Sequence, residues 1–120
     1  MKNLSPIEWA WIAGIIEGEG CFSTTKTNPH PLFALQMVDE DIVARFADLV
    51  GVKYAHRVMK GEKHKDVFQI AVRRRSFIEW LIVNIYPWMG ERRRSKIDEC
   101  IAFYQSKGSD AFDTLLGTSA

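Results

Sequence analysis

Ile12-Ala13-Gly14-Ile15-Ile16-Glu17-Gly18-Glu19-Gly20 is an apolar run that empties into two acids set among glycines. Glycine inside a helix costs roughly 0.5–1 kcal/mol relative to alanine. Gly14 therefore needs a reason, and close approach of a second helix is the usual one. Ala13 and Gly18 carry as little side chain. Glu17 and Glu19 fall at the carboxyl end of the helix, where the macrodipole disfavours an anion. A bound divalent cation would give an acid cause to be there.

Upstream, Ser5-Pro6-Ile7-Glu8 starts this helix: serine caps, proline suits the first helical position, and glutamate completes a capping box. The helix is expected to run to about Glu17 and to stop at Gly18 or Gly20. Downstream, Cys21 to Thr27 alternates as a strand, Asn28-Pro29-His30-Pro31 turns, and Leu32 to Val38 is a second strand. In the latter, Phe33, Leu35 and Met37 share one face, Ala34 and Gln36 the other. Asp39 caps a helix that carries Ile42, Phe46 and Val50 and ends at Gly51. Lys53 to Lys60 and Asp66 to Val72 form a hairpin. Ser76-Phe77-Ile78-Glu79 reads as a second capping box, and a last helix spans about Glu91 to Lys107 with Gly108 as its stop. Residues 1–108 thus make one domain, followed by a tail over 109–120, expected as poorly ordered or a loosely docked short helix. The four tryptophans are expected in the core, with Trp9 and Trp11 also beside the helix interface.

At 120 residues, 47% of them apolar, the chain has enough for one core. Net charge is only +1, but it is unevenly placed. Between Lys53 and Lys96 lie 12 basic and 4 acidic residues, a balance of +8 against −7 for the remainder. That asymmetry suits a polyanion; it also fits a set of solvated surface charges. Two cysteines suggest no disulfide framework, and no secretory leader is expected, since Met1-Lys2-Asn3-Leu4 runs straight into a helix start. The expectation is an intracellular, DNA-associated protein with no membrane span. His30, His56 and His64 with the two cysteines show no zinc spacing, and neither a phosphate loop nor a serine–histidine pattern occurs.

The nine residues from Ile12 to Gly20 resemble the signature of the LAGLIDADG homing endonucleases, with glutamate for aspartate at 17 and 19. Trp11 precedes them and Cys21-Phe22 opens a strand after them. The element order αββαββα plus one helix resembles that family's core across about residues 5 to 107. The resemblance implies an α+β fold whose four-stranded antiparallel sheet binds DNA, with an extra C-terminal helix. One signature implies a homodimer whose two motif helices pack together, through Trp11, Ala13, Gly14 and Gly18 here. It further implies a Mg²⁺-dependent nuclease, with Mn²⁺ as a substitute, no organic cofactor, and a long, roughly palindromic double-stranded target. Carried over by position, Glu19 and the Gly18 carbonyl hold the metal, and Asp39 and Arg92 complete the catalytic set. Asp39 competes with its own role as a cap, and Arg93 or Arg94 could stand in for Arg92. Glu17 is assigned to bracing a neighbouring helix.

Base reading is expected from the open sheet face: Ser23, Thr25, Thr27, Gln36, His56 and Gln69, with Arg57 in place of His56 if the strand parity shifts by one. The two glutamines suit adenine. Lys60, Lys63, Lys65, Arg73, Arg74, Arg75, Arg93 and Arg94 are the expected phosphate contacts. Two other readings remain: a non-cleaving maturase or regulator of the same fold, and a helical dimerisation protein that ignores nucleic acid and leaves the +8 segment unexplained.

Overall fold

Ser5 closes the first helix as its sequence requires. Its hydroxyl accepts from the Glu8 N–H (3.2 Å), and the Glu8 carboxylate accepts from the Ser5 N–H (2.8 Å). Those bonds, the backbone one foremost, hold the Glu8 carboxyl below its usual range. The computed structural model describes residues 1–25, 27, 29–58 and 66–117. Helix α1 spans Pro6–Glu19, two residues longer than the sequence suggests, and Gly20 caps it by donating to the Ile16 carbonyl. Gly20 is already extended and is the first residue of strand β1, Gly20–Ser23. A side chain there would meet Ile16 at 3.0 Å. Helix therefore passes into strand with no loop between them, and Glu19 sits at the junction.

Strand β2 (Leu32–Met37), helix α2 (Glu40–Val50), strands β3 (Ala55–Val58) and β4 (Asp66–Val72) follow, then helices α3 (Arg75–Ile85) and α4 (Glu91–Ser106) with a 3₁₀ turn, Tyr86–Trp88, between them. This is the expected αββαββα order plus one helix. The antiparallel sheet runs β1-β2-β4-β3. Registered partners share a face: Phe22 with Phe33, Leu35 with Ile70, and Met37 with Phe68. Phe22, Phe33, Leu35 and Ile70 are buried, and Phe33 lies against Phe22, Phe46 and Phe77. The helices cover this face; no charged or polar residue among those described is buried.

Strand β4 has the expected bounds, whereas β1 and β2 end earlier than the sequence suggests. β1 ends at Ser23, so Thr25 and Thr27 lie beyond it. Lys60, Lys63 and Lys65 fall outside the described residues. The second capping box does not form: α3 begins at Arg75, its N-cap is Arg74 without a side-chain bond, and Glu79 is taken by Arg75 and the Ser109 hydroxyl instead. Trp88 is 59% exposed, contrary to a core role, because the 3₁₀ turn carries it at the surface. Beyond Gly108 the chain makes turns rather than a helix, and Phe112 anchors them, fully buried against Tyr104. Among the described residues no helix is long and apolar enough to cross a membrane.

Candidate nucleic-acid interface

Two carboxylates close α1, and the structure treats them differently. Glu17 accepts a hydrogen bond from the Gly90 N–H at 3.1 Å, and its carbonyl accepts from Arg93 Nε at 3.2 Å. Gly90 is the N-cap of α4, and Glu17 accepts from its N–H as an N3 glutamate would in a capping box, a place held here by Arg93. A Cβ on Gly90 would lie 2.6 Å from Glu17 Oε1. Glycine therefore stands there to admit the carboxylate. Arg94 adds to the same clasp: it donates to the carbonyls of Tyr86 (3.3 Å) and Pro87 (3.1 Å), and its guanidinium lies over the Tyr86 ring. The bracing role expected of Glu17 is what the structure has. Gly90 was not singled out in the sequence, though a glycine directly ahead of a helix with no Ser, Thr, Asn or Asp to cap it was the available signal.

Glu19 is exposed and makes no such bond. It lines a surface depression of about 320 Å³ together with Gln36, Met37, Val38, Asp39 and Val67. Three of these, Glu19, Asp39 and Gln36, are candidates from the sequence. Asp39 holds the N-cap position of α2 but makes no side-chain cap bond, which leaves its carboxylate uncommitted. The competing role as a cap is therefore positional only. Among the described residues no three His, Cys, Asp or Glu side chains gather in one place. Of the three consecutive arginines at the start of α4, Arg93 and Arg94 are half-buried and engaged in the clasp, while Arg92 is exposed and carries no internal partner.

The open sheet face extends from this depression. Gln36 is registered with Gln69, and Gln69 with Ala55, so the three share that face. Cys21 and Ser23 lie on it in β1, by alternation from Phe22. His56 does not. It is registered with Phe68, stacks on that ring at 5.0 Å and pairs with Asp66 at 3.5 Å on the other face. Arg57 takes the open side and donates to Gln69 Oε1 at 2.9 Å. The parity of β3 was ambiguous because Tyr54, Val58 and Met59 do not alternate cleanly, and the strand starts only at Ala55. Arg73, Arg74 and Arg75 lie past Val72, at the end of the sheet away from Glu19, since Val72 is registered with Phe33 and Gly20 with Leu35. The Arg75 guanidinium is already paired with Glu79 at 3.3 Å and lies over Tyr104.

On α1 the outward stripe holds Ile7, 83% exposed, with Ala10, Gly14 and Gly18. A Cβ on Gly14 or Gly18 would meet nothing within 4 Å. Nothing among the described residues crowds those two glycines. Trp11 borders the stripe, with the Arg45 guanidinium 4.6 Å over its ring. Ala13 departs from expectation: at 2% exposure it belongs to the protomer's own core, one position round the helix from Gly14.

No family model matches the sequence, and neither does any curated protein. Solved structures do match. The group I intron-encoded homing endonuclease I-CeuI, complexed with DNA, aligns over 92% of this chain at TM-score 0.61 and 11% identity. The homing endonuclease I-TnaI aligns over 98% of this chain and 84% of its own, at TM-score 0.57 and 16% identity. The archaeal intron-encoded homing endonuclease I-Vdi141I, also complexed with DNA, aligns over 78% of this chain at TM-score 0.53 and 16% identity. This chain spans 59% of the first and 64% of the last. Four helices and a four-stranded antiparallel sheet agree with that likeness: the chain has the homing-endonuclease fold.

Proposed function

We propose that the chain is one protomer of a homodimeric, metal-dependent endonuclease that cuts both strands of a long, roughly palindromic DNA site. The observation that carries this is Glu19: an unpaired carboxylate at the disfavoured end of a helix, sharing one depression with Asp39 at the foot of an open sheet face. The two carboxylates there suit a hard cation, since Mg²⁺ is held by one or two carboxylates with waters and substrate phosphates. Glu19 would hold it, with the Gly18 carbonyl beside it. Bound Mg²⁺ supplies a polarised water and neutralises charge on the phosphate. Asp39 orients water on the same side. Arg92, the one arginine of its run left out of the clasp, offsets charge that develops on the phosphate. Gly14 and Gly18 admit a twin helix, so that each protomer brings one Glu19 to a shared axis. The DNA complexes of I-CeuI and I-Vdi141I support a nucleic-acid partner for the same fold.

The test is incubation of the chain with Mg²⁺ and duplexes spanning the uninterrupted form of its own gene's insertion site, beside Glu19→Gln. Metal-dependent double-strand cutting that the variant lacks is the expected result. Tight, sequence-selective binding without cutting by either protein would replace the nuclease with a binding protein of the same fold. Absence of binding even at low salt, where phosphate contacts are strongest, would remove nucleic acid altogether.

A further inference from the structure

The open face carries two glutamines side by side in register, and they differ in what they can offer. Gln36 is exposed and its amide is uncommitted. The Gln69 amide is held: Arg57 NH1 donates to its Oε1 at 2.9 Å. A guanidinium has five donors and no acceptor, so the amide can meet it only with the carbonyl turned toward it. The Gln69 NH₂ must then point away. What the pair then offers is mostly donors, the Gln69 NH₂ and the other N–H groups of Arg57, beside one remaining lone pair on Oε1.

This bears on base choice. A glutamine that binds adenine bidentately needs both its carbonyl and its NH₂, because adenine presents an acceptor, N7, and a donor, N6, in the major groove. Arg57 holds the Gln69 carbonyl turned toward its guanidinium and takes one of its two lone pairs, so the pair meets a base with donors in excess. Guanine presents two acceptors there, N7 and O6, and no donor. We infer that Arg57 and Gln69 act as one guanine-selecting element of the sheet, held in a donor-rich arrangement by their mutual hydrogen bond. The inference rests on the DNA-binding reading above and names a base within it. Both side chains stand on the open face, Arg57 exposed and Gln69 half-exposed, and β3 is the edge strand, so neither is needed to fill the core.

The experiment selects bound sites from a library of duplexes with randomised inverted half-sites, using the full chain with Glu19→Gln so that nothing is cut. Three proteins are compared: this background alone, with Gln69→Ala, and with Arg57→Ala. Thermal melting of each verifies folding. The background should enrich guanine at one position of each half-site. Gln69→Ala should weaken that preference by roughly 5- to 150-fold, the range of a bidentate contact. Arg57→Ala should shift the same position from guanine toward adenine, since it frees the glutamine carbonyl. Identical base preferences in all three, with binding retained, would overturn the inference and leave the DNA-binding reading in place. If the background protein retains no duplex at low salt, both fall together.

Discussion

At the clasp between α1 and α4, Glu17, Gly90, Arg93 and Arg94 all hydrogen-bond within the chain, and a glycine is used to make room for one of those bonds. Two residues beyond Glu17, Glu19 faces a depression with an uncommitted Asp39, and Arg92 stands exposed at the helix start next door. The two regions share a helix end and nearly the same residue types. Their difference separates charges that build the fold from charges that the fold leaves unmet. An anion at a helix carboxyl end costs about 0.3–1 kcal/mol when nothing answers it. Glu17 is answered by an N–H at the amino end of α4, where the dipole favours it. Glu19 has no such return among the described residues, and the proposed metal site would give it one.

Exchanging the roles of the two carboxylates breaks the comparison most directly. Glu19→Gln should lower cleavage by upwards of about 100-fold, since even the hydrogen-bond partners of metal ligands are worth roughly 10–100-fold. Its melting temperature should hold or rise slightly, because an unfavourable charge is removed. A drop of several degrees with cleavage retained would place Glu19 with the scaffold instead. Gly90→Ala should do the reverse. Its Cβ displaces the Glu17 carboxylate and removes one charge-assisted bond, about 1–2 kcal/mol in chemical or thermal unfolding. Glu17→Ala should cost a similar amount. The double variant should cost little more than either alone, since both remove one bond.

Most of the scaffold was legible in the sequence because its causes are local. Ser5 and Glu8, Gly20, Gly51, and the alternation of Phe33 and Leu35 each act within a few residues of themselves. The errors fall where the cause is distant. Ser76 and Glu79 have the spacing of a capping box, but Glu79 is claimed by Arg75 and by Ser109, thirty residues away in sequence. His56 was placed on the wrong face because β3 is a four-residue edge strand with no buried residue to set its parity; only its register with β4 does so. Ala13 and Gly14 are equally small in the sequence, and only packing tells which one faces the core. The site divides the same way. Glu19 stands out in the sequence by the glycines around it, whereas what separates the exposed Arg92 from its two neighbours is a clasp whose partners lie on α1 and in the turn before α4.

The outward stripe of α1 sharpens the comparison from a third side. Gly14 has open space where its Cβ would be, so Gly14→Ala should stabilise an isolated protomer by about 0.5–1 kcal/mol through helix propensity alone. In the proposed dimer the same methyl group enters the gap between two helices. The expected result is a higher unfolding midpoint at low concentration together with weaker self-association in sedimentation. Stabilisation with unchanged association would move the dimer axis away from this helix.

The smallest effect concerns the two cysteines, which lie on opposite sides of the clasp's logic. Cys21 is exposed on the open face, while Cys100 is buried in α4 and its thiol is pushed up to about 12, first by burial and then by Glu99. A maleimide should therefore label Cys21 in the native protein and reach Cys100 only after unfolding. The pH dependence has a definite sign. With the folded value above the ordinary 9.0, the folded state keeps a proton that the unfolded chain gives up. The stability from this thiol is whole below about pH 9 and is lost progressively as pH rises from there through about 12. Cys100→Ala removes that titration along with some packing. The gap in melting temperature between the parent and Cys100→Ala should be constant from pH 7 to about 9 and should narrow above it. A gap that stays constant to pH 11 would mean that Cys100 ionises as readily folded as unfolded, and that the back of α4 is less closed than its packing indicates.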